Sequence, residues 1–517
     1  MVYLAFILHM HQPYYKNLLT GEAELPWVRL HGTKDYLDMA LLLDEFPDVH
    51  QTFNVVPSLI EQIEEYAAGR LSDRFLYLTQ KRSSELTSEE KHFVRENFFS
   101  ADLNRIISIH PRYYELFLKK HEDYGFSDQD YLDLQVWFNL SWIDPYFRAS
   151  IPELRSLVKK GRYFTEEEKQ TVVSRQFGIL NEIVPTYKRL QDEGRLEISV
   201  SPYFHPILPL LFSSFAARDA NPNTPLPRTI FSQPQDAIWH VQEAVRFYRE
   251  RFGDIEVGMW PSEQAVSMDI LPCLAKSQVK WIVTDEAMLW NTVKKIRRDG
   301  RLLYRPYGMK TKNGPLTILF RDKYLSDLIG FEYQHWRTTD AVDNFMYHIL
   351  KIHEYFGDDD CLVTVALDGE NAWEYYRNDG RDFLRTLYQR ISESTYTKAV
   401  TVREYLVGHP VRHCLPAMVT GSWIHGTLNK WMGHPAKNAA WECLAEARNS
   451  LTPQQLQDER IMKQVHILEG SDWFWWYGDK NVAFDELYRL HLKNLYRMIG
   501  KEPPACLNQS LDPTSPY

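Results

Sequence analysis

The chain has 517 residues, of which 44% are hydrophobic and 25% are charged. These proportions are ordinary for globular proteins, so they exclude a disordered or fibrous chain. The formal net charge of −10, from 59 basic and 69 acidic residues, is unfavourable for binding a phosphate backbone. We therefore expect neither a nucleic acid nor an anionic membrane as a partner.

The cysteines and the N-terminal segment favour a cytoplasmic protein. Five cysteines are spread along the chain without a CxxC pair, which argues against a disulfide framework or a cysteine zinc site. Met1–Leu8 lacks a basic start and runs directly into two histidines, unlike a signal peptide. No run approaches the roughly 18 apolar residues that span a membrane. The oligomeric state stays unknown at this stage.

Seven short apolar or β-branched runs have the length and composition of buried strands. They are Val2–Leu8, Gln51–Val55, Leu196–Val200, Ile255–Met259, Lys280–Thr284, Leu316–Phe320 and Leu362–Leu367. Helical patterns lie between most of them, for example over Asp236–Phe252 and Thr338–Phe356. Strands that alternate with helices predict an α/β fold, either a barrel or an open parallel sheet.

Two segments fall outside this alternation. Residues 57–194 are charged and helical in pattern, and this segment is too long for a loop. From about Asp382 onward the pattern is helical again. We therefore predict a barrel domain over residues 1–385, which includes a helical insertion at 57–194, and a C-terminal helical domain over 386–517.

Polar and ionisable residues directly follow most of the predicted strands. In chain order they are His9 and His11, His205, Trp260 and Glu263, Asp285, Arg321 and Asp322, and finally Asp368 and Glu370. Active sites of parallel α/β folds lie at the C-terminal ends of the strands. We therefore expect these side chains to form one site.

Glu263 and Asp368 are the candidates for acid–base chemistry. Cleavage of a glycosidic bond requires two carboxyl groups in different protonation states. A barrel would bring these two to one mouth, although they lie far apart in the sequence. A single carboxylate after a strand can equally be a helix N-cap, but the pair, flanked by Trp260 and Trp373, favours a functional site.

Five ordered segments resemble the signature regions of glycoside hydrolase family 57. They are His9–Pro13, Gly194–Glu197 with Ser201–Pro206, Gly258–Glu263, Leu367–Glu370 and Ser422–Trp441. The block Glu469–Gly478 is similar to an aromatic segment of the amylase and amylopullulanase-like members. The resemblance implies a distorted seven-stranded (β/α) barrel with a C-terminal helical domain. It also implies a retaining enzyme that acts on α-1,4 or α-1,6 glucans without a metal or another cofactor.

The resemblance implies that Glu263 is the nucleophile and Asp368 the general acid/base. Glu263 should stay ionised in order to attack the anomeric carbon, and Asp368 should arrive protonated. Imidazole groups can hydrogen-bond sugar hydroxyls, and Trp rings can cover the apolar face of a sugar. Asp285 and Arg321 can instead hold the nucleophile in place. The candidates for substrate binding are His11, His205, Trp260, Asp285, Arg321, Trp373, Trp423, Asp472 and Trp473.

Several alternatives stay open at this stage. Trp473, Trp475 and Trp476 can equally form an aromatic core between domains, so we expect only some of these rings to touch sugar. His9 and His11, completed by Asp285 or Asp368, can instead form the metal site of a metal-dependent hydrolase. The protein can also be a noncatalytic glycan-binding protein. Within the family, the aromatic block favours a hydrolase over a transglycosylase, namely a branching enzyme or a 4-α-glucanotransferase.

Overall fold

The computed structural model describes residues 1–120, 125–294, 297–370, 372–479 and 481–512. Its strands are β1 (Val2–Met10), β2 (Gln51–Val55), β3 (Leu196–Val200), β4 (Val257–Met259), β5 (Val279–Asp285), β6 (Tyr307–Thr311), β7 (Gly314–Arg321), β8 (Cys361–Asp368), β9 (Thr397–Ala399) and β10 (His413–Cys414). Strands β1 to β5, β7 and β8 pair in parallel and close on themselves, because β8 pairs with both β7 and β1.

The closed sheet confirms the predicted seven-stranded barrel and contradicts an open parallel sheet. Each predicted run corresponds to one barrel strand. The barrel is irregular, since β3 and β4 meet in one residue pair, Val200 with Met259, and β7 meets β8 through Arg321 and Thr364. Strand β6 is antiparallel to β7.

Side-chain alternation divides each strand between the inside of the barrel and the helical layer. In β1, Ala5 and Ile7 belong to a small cluster inside the barrel, whereas Leu4, Phe6 and Leu8 belong to the main core. Successive residues of a strand point to opposite faces. Both faces are therefore covered, which explains why the strand is apolar at nearly every position.

Helices surround this barrel. Those before and within the insertion are Trp27–Lys34, Tyr36–Leu42, Pro57–Ala67, Arg74–Gln80, Ser88–Asn97, Pro111–Lys119, Asp128–Ser141, Pro145–Ser150, Pro152–Lys160 and Glu166–Asp192. Those between later strands are Leu208–Phe212, Ala216–Ala220, Pro234–Phe252, Leu271–Lys276, Glu286–Thr292, Gly300–Leu303, Lys323–Asp327, Thr338–Phe356 and Arg381–Ser392. The remaining helices are Val402–Gly408, Pro435–Asn449, Glu459–Leu468, Ser471–Trp476 and Val482–Met498.

The helical patterns at 57–194 and toward the C-terminus correspond to helices of the structure. The last region also contributes strands, because β9 pairs with β1 and β10 pairs with β6. The proposed domain boundary between residues 385 and 386 stays a prediction. Among the described residues, no helix combines the length and the apolar character needed to cross a membrane.

Candidate active site

The alternation of the barrel strands places four predicted site residues on the inner face at the C-terminal end. His9 continues the inward positions of Ala5 and Ile7 in β1, and Asp368 continues those of Leu362 and Ala366 in β8. Asp285 and Arg321 end β5 and β7 in the same way, after the inward residues Val283 and Leu319. Because side chains alternate between the two faces of a strand, these four side chains lie at the same mouth of the barrel.

Glu263 lies in a strained turn that follows β4. Its backbone is left-handed, with φ 57° and ψ 24°, and the next residue, Gln264, also has a positive φ of 52°. Such conformations are costly for residues other than glycine and are concentrated at functional sites. The Glu263 carbonyl accepts a hydrogen bond from the Trp423 amide at 3.3 Å, which holds the turn against a distant segment.

The Glu263 carboxylate accepts a hydrogen bond from the Trp423 indole, with 2.8 Å between Nε1 and Oε2. Burial raises the pKa of Glu263 to about 8; the Trp423 bond opposes this shift, and the charges of Asp368 and Asp472 add to it. Desolvation disfavours the charged form of a carboxyl group. In the unliganded protein the neutral form of Glu263 is therefore favoured, which is opposite to the expectation that this residue stays ionised.

Asp368 ends β8 and is half-buried at the mouth of the barrel. The next residue, Gly369, donates its amide hydrogen to the His9 carbonyl at 2.6 Å, which ties the Asp368 loop to β1. Glu370 also contacts β1, because its Oε1 accepts the His11 amide hydrogen at 3.0 Å. Burial raises the pKa of Glu370 well above its ordinary value. Both loop contacts fix the position of Asp368 relative to the histidines.

Three histidines and one tryptophan form a stack beside these carboxylates. The ring centroids of His9 and Trp260 are 4.8 Å apart and those of His11 and His205 are 4.0 Å apart. Burial lowers the pKa of His9 to about 3 and that of His205 well below its ordinary value. At neutral pH these two rings are uncharged. Trp260 is fully buried inside the barrel, so it packs against the His9 ring from the barrel interior.

The C-terminal region supplies the partners of two histidines. His11 Nε2 lies 2.8 Å from Asp472 Oδ1, and His205 Nδ1 lies 2.9 Å from Ser471 Oγ. The Ser471 amide also donates to the His205 carbonyl at 3.0 Å. The other ring nitrogens, His11 Nδ1 and His205 Nε2, are buried and have no hydrogen-bond partner among the residues that the structure describes. These two atoms remain available to a ligand.

Asp285 and Arg321 form a buried ion pair with 3.1 Å between Oδ2 and Nη1. Arg321 also donates to the Ala366 carbonyl at 2.7 Å, and its guanidinium lies 5.2 Å from the centre of the Trp423 ring. Arg321 therefore contacts the tryptophan that binds Glu263. Asp285 contacts Arg321, and its effect on Trp423 therefore passes through Arg321.

A cavity of about 420 Å³ opens beside Asp368. Predicted residues Arg321, Asp368 and Trp423 line it, together with Trp475. Two further aromatic residues of its wall, Phe331 and Tyr375, were not predicted from the sequence. They follow β7 and β8, so the position of aromatic residues after barrel strands was the available signal.

The structure does not bring Trp373 or Trp473 to this cavity. Both side chains are 1% exposed. Trp373 donates its indole hydrogen to the sulfur of Met39, and Trp473 donates to the Ile467 carbonyl. Their polar atoms are thus satisfied within the core. Of the aromatic block, Trp475 lines the cavity, held by the buried Lys437, whose ammonium donates to the Trp475 carbonyl at 3.0 Å.

Two groups of side chains could each present three metal ligands within 4.8 Å of one another in the described parts of the chain. His11, His205 and Asp472 form the first group, at the mouth of the barrel. His9, predicted from the sequence as an alternative metal ligand together with His11, is in neither group. Its Nδ1 instead lies 2.6 Å from Asn54 Oδ1.

The second group is His240, His466 and Glu469. Here the Phe204 amide donates to His240 Nδ1 at 3.3 Å, and His240 Nε2 lies 2.9 Å from Glu469 Oε2. An imidazole that accepts at Nδ1 carries its proton on Nε2. His240 therefore donates to Glu469 in this arrangement and does not offer the lone pair that a metal requires.

Comparison with solved structures finds enzymes that share this fold. A GH57-type branching enzyme from Pyrococcus horikoshii has 16% identity and a TM-score of 0.60, with 98% of this chain and 93% of that chain covered. An α-amylase from Thermotoga maritima has 15% identity and a TM-score of 0.56, with 96% and 93% covered. A 4-α-glucanotransferase from Thermococcus litoralis has 13% identity and a TM-score of 0.56, with 96% and 60% covered.

A family profile, unlike the individual curated sequences, identifies the family of this chain. No significant match was found among curated protein sequences. The sequence profile of Glycosyl hydrolase family 57, in contrast, matches residues 5–418. This range includes most of β1, all the other strands of the barrel and both carboxylates of its mouth. The chain therefore belongs to glycosyl hydrolase family 57.

Proposed function

We propose that this protein is a retaining enzyme that cleaves α-glucosidic bonds in glucans such as starch, glycogen or maltooligosaccharides. The observation that carries the proposal is the pair Glu263 and Asp368 at one mouth, beside buried imidazole nitrogens of His11 and His205 that no described residue pairs with. Buried polar atoms without partners are costly, and the hydroxyl groups of a sugar would satisfy them. The similar solved structures include α-glucan enzymes, which supports this substrate class.

The reaction follows a double displacement. Glu263 attacks the anomeric carbon while Asp368 gives its proton to the leaving glycosidic oxygen. A covalent ester between the sugar and Glu263 results. Asp368 then removes a proton from water or from a sugar hydroxyl, which attacks the same carbon and releases Glu263. Two inversions restore the original α configuration.

Glu263 must be ionised for the first step, although burial favours its neutral form. The like charges of Glu263 and Asp368 cannot both be accommodated easily in one buried site, so the pair retains a proton. Cleavage of the glycosidic bond requires that this proton reside on Asp368. The indole hydrogen of Trp423 stabilises the ionised form of Glu263 and thus favours this arrangement.

The test is a pair of variants assayed on maltooligosaccharides and amylose. Glu263→Gln should lose at least about a thousandfold in kcat, because the nucleophile is absent. Asp368→Asn should lose as much on sugar leaving groups and recover on an activated leaving group that needs no proton. NMR should detect the α anomer as the first product. Undiminished turnover by Glu263→Gln, or a β product, would refute the proposal.

The cluster of His11, His205 and Asp472 favours a second candidate, a metal-dependent hydrolase. Treatment with a strong chelator, followed by elemental analysis and activity measurement, distinguishes the two. Loss of activity that returns with a transition metal supports the second candidate. Full activity in the chelated, metal-depleted protein supports the carboxylate mechanism.

We also propose a cytoplasmic location. All five cysteines are free thiols in the structure, and free thiols are typical of reducing compartments. Fractionation of cells that express the full-length protein tests this location, since recovery in the medium or the periplasm contradicts it.

A further inference from the structure

The loop that carries His205 runs beside the segment 469–472. Pro206 and Gly470 form an antiparallel backbone bridge, and the Ser471 amide donates to the His205 carbonyl at 3.0 Å. A Cβ atom on Gly470 would lie 2.9 Å from a carbonyl oxygen of the loop, so this close approach requires glycine. The position of His205 therefore depends on the position of the segment 469–472.

The backbone of His205 itself is strained. Its φ is 56°, which lies in the left-handed region and is unfavourable for a residue with a side chain. Such a conformation persists only where the surrounding structure imposes it. Loss of the contacts around this loop would therefore allow the backbone of His205 to relax, and its ring would move.

The buried side chains of His240 and Glu469 connect the loop to the segment. The Phe204 amide donates to His240 Nδ1 at 3.3 Å, and His240 Nε2 lies 2.9 Å from Glu469 Oε2. Burial lowers the pKa of His240 well below its ordinary value, so the ring is neutral and donates its one proton to Glu469. The helix Pro234–Phe252, which contains His240, thereby fixes both backbones.

Glu469 is the shared acceptor in this arrangement. Its Oε2 also lies 3.0 Å from His466 Nδ1, and the His466 ring stacks on Trp239 with 3.9 Å between the centroids. Apolar residues of similar volume are often at least as stable as a buried charged group, so packing alone does not require a carboxylate here. The carboxylate instead lies three residues before Asp472, which contacts His11 Nε2.

We propose that Glu469 is a positioning residue, which holds the His205 loop against the segment 469–472 through His240 and thereby sets where the imidazoles of His205 and His11 meet the sugar. The inference rests on the proposed function. Glu469 is fully buried and is not part of the wall of the cavity beside the barrel mouth, so it acts only through the histidines. Its loss should therefore affect turnover mainly while the His205 ring is present.

A double-mutant cycle on the full-length protein tests this dependence. Glu469→Leu removes the acceptor at similar volume and should lower kcat/KM on maltooligosaccharides about a hundredfold, as expected for a displacement of roughly 1 Å in a catalytic site. In a His205→Ala background the same substitution should lower kcat/KM less than about threefold, because the ring that it displaces is absent.

Glu469→Gln is the conservative variant. Its amide oxygen can accept from both imidazoles, so its kcat/KM should stay within about threefold of the wild type. A role that depends on the hydrogen bonds predicts this rescue. Circular dichroism checks that each variant is folded at the temperature of the assay.

Asp485→Leu is the matched control. Asp485 is a buried carboxylate of the same C-terminal region, but its partners are Tyr477, Arg489 and Leu511 rather than the histidines of the mouth. Its substitution should destabilise the protein without coupling to His205. Any effect of Asp485→Leu on kcat/KM should therefore be the same in the wild-type and His205→Ala backgrounds.

The possible failures are distinguishable. Equal effects of Glu469→Leu in both backgrounds, or a Glu469→Gln variant as impaired as Glu469→Leu, would overturn the positioning role and leave the proposed function intact. If Glu469→Leu does not fold, His240→Leu repeats the cycle, because it breaks the same chain of hydrogen bonds. Failure of both to fold would show that these contacts serve folding and would overturn the positioning role. A wild type that does not cleave maltooligosaccharides would overturn the proposed function itself.

Discussion

Glu263 combines burial with a single indole donor, and these two effects act on its pKa in opposite directions. Burial raises the pKa to about 8, and the Trp423 hydrogen bond opposes that rise. A hydrogen bond to the charged form of an acid favours that form. The pH at which the proposed nucleophile ionises is therefore set partly by a residue 160 positions away in the sequence.

We predict that Trp423→Phe shifts the pH dependence of kcat/KM. Loss of the indole donor should raise the pKa of Glu263, so the pH of half-maximal kcat/KM on the acidic side should move up by roughly one unit. A series of kcat/KM measurements from pH 5 to 9 checks this shift. Trp336→Phe, at a half-exposed surface position, should leave the profile unchanged, and an identical profile for Trp423→Phe would contradict the prediction.

We predict that Glu263→Gln is more stable than the wild type at alkaline pH. The folded-state pKa of Glu263 is raised from 4.5 to about 8, so the folded protein binds more protons than the unfolded chain between these values. Stability associated with this group is complete below about pH 4.5 and is lost as pH rises through 8. The glutamine variant avoids that loss, which is on the order of 5 kcal/mol because each pKa unit corresponds to about 1.4 kcal/mol.

Thermal unfolding of both proteins from pH 4 to 9 tests this difference. The Tm of Glu263→Gln should approach that of the wild type at pH 4 and exceed it increasingly toward pH 8. Glu89→Gln provides the control, because Glu89 is exposed. A Tm difference that does not vary with pH would contradict the raised pKa.

At the scale of single elements, the packing of β4 explains the glycine that precedes the Glu263 turn. A Cβ atom on Gly258 would lie 1.9 Å from the ring of Trp281 on the neighbouring strand. Trp281 cannot move aside easily, because its indole donates to the buried Glu197 at 2.9 Å. The close approach of the two strands therefore requires glycine at this position.

We predict that Gly258→Ala destabilises the protein by about 1–3 kcal/mol, the usual cost of overpacking a core. Activity should fall as well, since β4 leads directly into the Glu263 turn. Chemical denaturation monitored by circular dichroism measures the change. Gly178→Ala is the control, because Gly178 lies in the helix Glu166–Asp192 with nothing near its Cβ position; it should be neutral or slightly stabilising.

At the scale of the whole molecule, residues after 385 complete both the sheet and the site. Strand β9 pairs with the N-terminal half of β1. Trp423, Ser471 and Asp472 contact Glu263, His205 and His11. The barrel and the C-terminal region therefore share the candidate active site and part of one sheet.

We predict that a fragment of residues 1–385 does not unfold cooperatively and has no glucan activity. Its β1 would lose the pairing with β9, and apolar surface that the C-terminal helices cover would be exposed. Thermal melts by circular dichroism and binding of a hydrophobic dye measure both effects. A fragment that melts sharply and cleaves maltooligosaccharides would show that residues 1–385 are an independent catalytic domain.

The strands and the residues that end them could be predicted because both depend on local pattern. Runs of apolar and β-branched residues gave β1 to β5, β7 and β8, and the two-residue period of a strand puts His9 and Asp368 on its inner face. The positions of the tryptophans required the tertiary structure. Trp373 and Trp423 have the same side chain and lie near the same site in the sequence-based prediction, but Trp373 packs in the core and Trp423 lines the cavity.

The sequence by itself therefore determined the seven barrel strands, the helical character of residues 57–194 and the positions of Glu263 and Asp368 after two of the strands. The tertiary structure decided the protonation preference of Glu263, the partners of His11 and His205, and the aromatic cavity with Phe331 and Tyr375. The physical reason is the separation along the chain of the residues that interact. Strand periodicity acts between neighbouring residues, whereas desolvation, hydrogen bonding and exposure at the mouth depend on segments brought together from hundreds of residues apart.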